Sequence, residues 1–240
     1  MIEELLPPGV AAVEAFTDPA EPPALFPEEE RHIARAVDKR RREFSTVRVC
    51  ARAALDRLGG PRVPLVPGER GAPGWPDGFV GSMTHCHGYR AAAVARSGEL
   101  ASVGIDAEPN EPLRERGVLD TIALPGERVA LAGLAARRAD VAWERLLFSA
   151  KESVYKVWFP LTRRWLDFEE AAITIDPDAG TFTARLLGPG PEGDGVRLPG
   201  FTGRGLARDG LLVTAIGVAR RPAAPPGPRD AHGEPADVPV

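Results

Sequence analysis

Glycine and proline interrupt this chain so often that most of its regular elements must be short. There are 26 glycines and 25 prolines among 240 residues, about twice the usual share, with no Gly-X-Y period that would suggest collagen. Two stretches run long enough for several helical turns. Residues 28–58 predict one amphipathic, arginine-rich helix, entered after a Pro-rich segment ending at Pro27 and stopped by Gly59-Gly60-Pro61. Its acidic first turn complements the helix dipole. Phe44, Val47, Ala51, Leu55 and Leu58 form its apolar face, and Arg40, Arg41, Arg42, Arg48 and Arg52 occupy other positions. Residues 142–159 predict a second helix on the spacing of Trp143, Leu147, Ala150, Val154, Val157 and Trp158, ended by Pro160.

Short segments at 79–84, 91–96 and 102–108 read as strands whose close linkage suggests a meander. Residues 172–176 and 182–187 flank the turn Pro177-Asp178-Ala179-Gly180 as a hairpin, and 211–218 supplies a further strand. Residues 59–78 read as loop. The glycine-rich 188–205 lacks the Gly-Lys-Ser/Thr of a phosphate loop and predicts an exposed connection. The chain therefore divides into a first half at 1–108, a second at 109–220 and a Pro-rich tail at 221–240 that is expected to be disordered.

The 43% hydrophobic content is ample for a core. No run of 18 apolar residues occurs and the start Met1-Ile2-Glu3-Glu4 is acidic, so neither a membrane span nor a secretory signal is expected. Two cysteines, Cys50 and Cys86, are too few for a disulfide framework and suit a reducing cytoplasm. The net charge of −4 gives no reason to expect nucleic-acid binding, so any anion site must be local.

Two segments carry chemistry. In 103–108 an extended backbone puts Val103 and Ile105 on one face and Gly104, Asp106 and Glu108 on the other. Two convergent carboxylates suit a hard cation such as Mg²⁺, with Gly104 leaving room for the ligand. In 148–156, Glu152 and Lys156 share a helix face turned away from the apolar stripe. Lys39, Lys151 and Lys156 are the only lysines, which makes the clustered pair conspicuous.

Taken together, Val103-Gly104-Ile105-Asp106-Ala107-Glu108 and, about forty residues later, Phe148-Ser149-Ala150-Lys151-Glu152-Ser153-Val154-Tyr155-Lys156 resemble the signature of the 4′-phosphopantetheinyl transferases. The likeness is to the surfactin- and enterobactin-synthetase type. It extends to Gly81-Ser82-Met83-Thr84-His85-Cys86, to Lys39-Arg40-Arg41 through Arg48, and to Trp158-Phe159-Pro160-Leu161-Thr162.

The resemblance implies a pseudo-twofold α+β fold of two similar halves, each a small antiparallel sheet with packed helices, and coenzyme A held between them. It implies transfer of phosphopantetheine to a serine of an apo acyl or peptidyl carrier protein, with adenosine 3′,5′-bisphosphate released. Asp106, Glu108 and Glu152 would hold Mg²⁺, for which Mn²⁺ can substitute. Glu152 is the expected general base, Lys156 the stabiliser of the pyrophosphate, and Asp106 completes the catalytic set. Arg40 and Arg48 would grip the 3′-phosphate, although a helical wheel aligns Arg41, Arg48 and Arg52 better. Arg70, Thr84, His85 and Lys151 are further expected phosphate contacts. A carrier is usually acidic, so Arg128, Arg137, Arg138 and Arg145 are the expected docking residues. One chain supplying both sides of the cleft predicts a monomer. The alternative is a catalytically inert coenzyme A-binding module. A zinc site at Cys50, His85, Cys86 and His87 is disfavoured because strand alternation sends Cys86 away from both histidines. A serine hydrolase is disfavoured because no Gly-x-Ser-x-Gly elbow occurs.

Overall fold

The arginine-rich stretch is two helices rather than one in the computed structural model, which describes residues 1–114, 117–193 and 196–220. Helix α1 spans Pro27–Ile33 and α2 spans Asp38–Arg57. The break has a physical reason in Glu29, which is wholly buried and bonded to Arg52 Nη1 at 2.8 Å. In a continuous helix those residues would stand about 35 Å apart. The chain must double back for the carboxylate to find its cation. The tail expected to be disordered lies outside the described residues.

The first half carries a three-stranded antiparallel sheet of β1 (Ala11–Ala15), β2 (Phe79–Cys86) and β3 (Tyr89–Arg96), in the order β1-β3-β2. Helix α2 covers one face, packing Cys50, Ala51, Ala54 and Leu55 on Ala92 and Val94 of β3. The run Ala91 to Ala93 on β3 keeps side chains short there, so helix and sheet approach closely.

The expected meander is corrected. Strand β4 (Leu100–Pro109) does not extend the first sheet but forms the edge of a second, ordered β4-β10-β9-β6-β5. The other strands of that second sheet are β5 (Ala171–Asp176), β6 (Thr181–Leu186), β9 (Gly200–Arg208) and β10 (Leu211–Ala219), with every neighbouring pair antiparallel. A two-stranded ribbon, β7 (Glu192–Gly193) with β8 (Val196–Arg197), lies between β6 and β9 in the chain. Helices α3 (Val118–Ile122), α4 (Pro125–Arg137) and α5 (Trp143–Thr162) complete this half.

Two expectations about these elements fail for reasons visible in the packing. Part of the glycine-rich connection is strand β9, and its glycines admit neighbours: a Cβ on Gly203 would lie 2.3 Å from Phe182 Cζ, and one on Gly200 2.0 Å from the Ala184 carbonyl. Helix α5 runs through Pro160 to Thr162. A proline this close to a helix end removes one backbone bond in the last turn and is exposed.

The result is an α+β fold of two similar halves, each an antiparallel sheet with packed helices. The long helices α2 and α5 both have 20 residues. No described helix is long and apolar enough to cross a membrane.

Candidate active site

Strand β4 serves both halves because its two faces differ. Val103, Ile105 and Ala107 join the core cluster that holds Tyr89, Ala91, Ala93 and Ala95 of β3. Gly104 meets helix α5 on the other face. A Cβ there would come within 2.3 Å of the Ser153 carbonyl oxygen and 2.9 Å of Val157 Cγ1. Gly104 thus admits the helix, which corrects the expectation that it leaves space for a ligand.

Close packing at Gly104 sets α5 against β4 so that the two motifs meet. Lys156 Nζ donates to the Ile105 carbonyl at 3.0 Å and to Asp106 Oδ1 at 2.7 Å. Thr84 Oγ1 donates to the same Oδ1 at 3.2 Å. Asp106 is 5% exposed, and its Oδ2 is buried without any hydrogen-bond partner among the described residues. Glu108 Oε2 is held by Arg145 Nη1 at 2.8 Å. Arg145 also donates to the carbonyls of Glu111 and Pro112, pinning the chain that leaves β4. Glu152 is half-buried one turn before Lys156.

The three carboxylates feel one another. Burial raises the Glu108 carboxyl above its ordinary value, and the Asp106 charge adds to the rise against the pull of Arg145. Burial likewise raises Glu152, opposed by Lys156 and reinforced by Asp106 and Glu108. Among the described residues no three histidine, cysteine or acidic side chains already stand as an assembled metal cage. The residues nevertheless fit a hard cation: an orphaned buried carboxylate oxygen beside two destabilised carboxylates is a donor set short of positive charge.

Across the seam, His85 lies at the end of β2, with Nε2 2.5 Å from Arg40 Nη1 and 3.7 Å from Glu43 Oε2. Burial, then the charges of Arg40, Lys156 and Arg90, lower its pKa to about 4. It is therefore neutral near pH 7 and accepts from Arg40. Arg48 makes its own hydrogen bonds elsewhere. It is buried, donates to the carbonyls of Leu65 and Phe44, and sits over the Phe44 ring. Burial brings its pKa down to about 9. Of the wheel-based alternative, Arg48 and Arg52 do meet, both at Glu29, while Arg41 pairs with Glu30.

Two further residues expected to contact phosphate are engaged within the protein. Lys151 points inward, 2.9 Å from Glu127 Oε2 and 2.7 Å from the Phe168 carbonyl, with its side chain 2% exposed. Thr84 is 3% exposed, and its hydroxyl is committed to Asp106 and to the Ala107 amide. Of the expected docking arginines, Arg128, Arg137 and Arg138 are exposed but paired with Asp120, Asp178 and Asp140. Arg145 belongs to the site itself.

Two hollows flank the carboxylates. One, about 520 Å³, is lined by Arg70, Trp75, Met83, Glu152, Tyr155 and Lys156 among others. Arg70 adopts a left-handed backbone at φ 53° and lays its guanidinium 4.8 Å from the Trp165 ring centre. The other hollow, about 510 Å³, is lined by His85, Glu108, Leu113, Arg114 and Arg145. Tyr155, Trp75, Arg145 and Glu43 were not expected in the site. Tyr155 was legible in retrospect, three residues after Glu152 on the same helix.

Comparison with known proteins accounts for both halves in turn. The model of the 4′-phosphopantetheinyl transferase N-terminal domain matches residues 28–95, and that of the 4′-phosphopantetheinyl transferase superfamily matches 102–195. The chain is 65% identical to 4′-phosphopantetheinyl transferase Svp of Streptomyces mobaraensis, over 91% of this chain and 89% of that protein. It is 51% identical to 4′-phosphopantetheinyl transferase Npt of Nocardia iowensis, over 91% of this chain and all of the relative. Enterobactin synthase component D of Escherichia coli is 37% identical over 49% of this chain and 54% of its own length. With matches spanning nearly the whole length at such identity, and with the buried Asp106 carboxylate held by Lys156 and felt by both Glu108 and Glu152, this chain belongs to the 4′-phosphopantetheinyl transferase family of enzymes.

Proposed function

We propose that this enzyme transfers the 4′-phosphopantetheine group of coenzyme A to a serine of an apo acyl or peptidyl carrier domain. The serine oxygen forms a bond to the β-phosphorus, the bond from that phosphorus to the bridging oxygen breaks, and adenosine 3′,5′-bisphosphate leaves. The single observation that carries this reading is the unpartnered, buried Oδ2 of Asp106 between Lys156 and two carboxylates of raised pKa. Phosphoryl transfer needs positioning and charge more than covalent chemistry, and this arrangement supplies both.

Asp106, Glu108 and Glu152 would hold Mg²⁺ or Mn²⁺, which when bound neutralises charge on the pyrophosphate. Lys156, already at the Asp106 carboxylate, would stabilise the charge that develops on the phosphates. Glu152, raised by burial, is a better proton acceptor than a solvated carboxylate and would take the serine proton. Arg40, with His85 as its neutral neighbour on the first half, marks where the phosphates of coenzyme A would rest. Arg70 stands over the hollow shared with Glu152 and Lys156, where it would reach the same ligand. Arg48 would contribute field from within rather than direct contact.

The same reading makes the enzyme a cytoplasmic monomer without nucleic-acid or membrane partners. Its support is that one chain supplies both sides of the site, that Cys50 and Cys86 are free thiols, and that the net charge is −4. The inert binding module is disfavoured because Asp106, Glu108, Glu152 and Lys156 are all present, with Lys156 bonded to Asp106 and the carboxylates electrostatically coupled.

The test is intact mass of apo carrier proteins after incubation with the enzyme, coenzyme A and Mg²⁺. A gain of one phosphopantetheine, abolished by EDTA, is the expected result. Binding of coenzyme A with no gain on several unrelated carriers would favour the inert module instead.

A further inference from the structure

Strands β2 and β4 run side by side where the two halves meet, yet they belong to different sheets and share no backbone ladder. Two hydroxyls take the ladder's place. Ser82 Oγ accepts the Ile105 amide at 3.1 Å, and Thr84 Oγ1 accepts the Ala107 amide at 3.0 Å. The residues are two apart on both strands, so the alternation that sends Ser82 toward β4 sends Thr84 there as well. Both are 3% exposed. Without them two amides of an edge strand would be buried unpaired, at a cost that proteins avoid.

The two hydroxyls differ in one respect. Thr84 also donates its single hydroxyl proton to Asp106 Oδ1, whereas Ser82 makes no hydrogen bond to a carboxylate among the described residues. Oδ1 thereby has two donors, Thr84 and Lys156, while Oδ2 of the same buried carboxylate has none. Lys156 reaches it on a long flexible stem. Thr84 reaches it from a rigid strand with a side chain that is stiff at its first torsion.

We propose that Thr84 is a positioning residue for the transfer: it locks the Asp106 carboxylate so that Oδ2 is the atom left to bind, and it makes no contact with phosphate. The proposal rests on the reading of the site as a metal-assisted phosphopantetheinyl transferase. Ser82 provides the internal control, because it holds the same seam without touching Asp106.

The experiment compares Thr84→Val, Thr84→Ser, Thr84→Cys and Ser82→Ala in the full chain. Four quantities are read: melting temperature, calorimetric Kd for coenzyme A, Mn²⁺ affinity by electron paramagnetic resonance with coenzyme A present, and single-turnover transfer. Thr84→Val is expected to weaken Mn²⁺ binding and slow transfer, each by about 10- to 100-fold, with the coenzyme A Kd changed less than about 3-fold. Thr84→Ser should restore both, and Thr84→Cys, similar in volume with a weaker donor, should fall between and serves in place of Val if that variant does not fold. Ser82→Ala should lower the melting temperature about as much as Thr84→Val while leaving Mn²⁺ affinity and transfer near the parent values. The proposal is overturned if Thr84→Val weakens coenzyme A in proportion to its rate, which would mean phosphate contact. It is equally overturned if Ser82→Ala reproduces the Mn²⁺ and rate losses, which would mean that only the seam matters. Absence of transfer by the parent enzyme on every carrier would sink the functional reading, and the Mn²⁺ comparison would still judge Thr84.

Discussion

Glu29 in the first half and Glu127 in the second occupy matching places. Each is the third residue of a helix that begins with proline, α1 at Pro27 and α4 at Pro125. Each turns one oxygen back to the amide before the helix, Phe26 at 3.0 Å and Leu124 at 2.7 Å. The other oxygen receives the amide of an incoming segment, Leu65 at 2.8 Å and Ile173 at 2.6 Å. Each is buried and faces a cation from the following long helix, Arg52 of α2 or Lys151 of α5. The reciprocal half of a capping box is impossible in both, because Phe26 and Leu124 have no side-chain acceptor.

The difference lies in the cations. Glu29 has two guanidiniums nearby, Arg52 at 2.8 Å and Arg48 at 3.7 Å, so the first half keeps surplus positive charge beside its hub. Among the described residues Glu127 has one cation within ion-pair distance, Lys151 at 2.9 Å. The twofold relation therefore survives in the buried scaffold, while the chemistry departs from it: cations gather on α2, and Glu152 with Lys156 on α5.

Four experiments would break or sharpen this comparison. The largest effect is expected from Glu152→Gln, which lies outside the repeated scaffold. Transfer should slow by about 10²- to 10⁴-fold, as for loss of a general base, with the urea midpoint unchanged; a smaller loss would remove Glu152 from that role. Glu29→Ala and Glu127→Ala should each lose about 3–5 kcal/mol of stability by stranding a buried cation. Urea unfolding of the two variants checks this, and a loss confined to one of them would end the claim that the hubs are equivalent. Gly104→Ala, which forces a methyl against the Ser153 carbonyl, should cost about 1–3 kcal/mol. Its transfer rate should fall as well, because α5 cannot move from β4 without carrying Glu152 and Lys156 with it.

The smallest effect concerns pH. The His85 imidazole titrates near 6.5 when unfolded and near 4 in the fold, so the unfolded chain binds the extra proton first. Stability of the ligand-free enzyme should then fall as pH drops from about 6.5 toward 4. A polyanion beside His85 reverses the preference, so coenzyme A binding at pH 6 should take up a fraction of a proton. Calorimetry in two buffers of unequal ionisation enthalpy measures that uptake, and His85→Gln should abolish it. Equal uptake in the variant would place the proton elsewhere.

Much of the site was legible because its chemistry is local. Asp106 and Glu108 share one strand face, Glu152 and Lys156 one helix face, and both segments have clean periodicity. The hairpin of β5 and β6 was legible from its turn residues. Strand β1 was not, since Ala11-Ala12-Val13-Glu14-Ala15 has little strand character and is extended because it pairs with an equally alanine-rich β3. Nor was β9, whose glycines look like loop until Phe182 and Ala184 are packed on them. The roles of Lys151 and Arg48 were hidden for a common reason: a cation's sequence neighbours do not reveal a carboxylate or carbonyl that arrives from a distant segment, Glu127 in one case and Leu65 in the other.

Among the described residues strand β4 has one backbone ladder, and it is with β10, whose residues begin at Leu211 and pair back to Pro109 and beyond. During synthesis the ribosome therefore makes the catalytic aspartate about a hundred residues before the strand that fixes its backbone. All of α5, with its glutamate and lysine, also precedes that strand. A nascent chain can complete its first sheet, of β1, β3 and β2, long before this point. It cannot finish the second until the last described strand has emerged, so the carboxylates are gathered only when translation is nearly over.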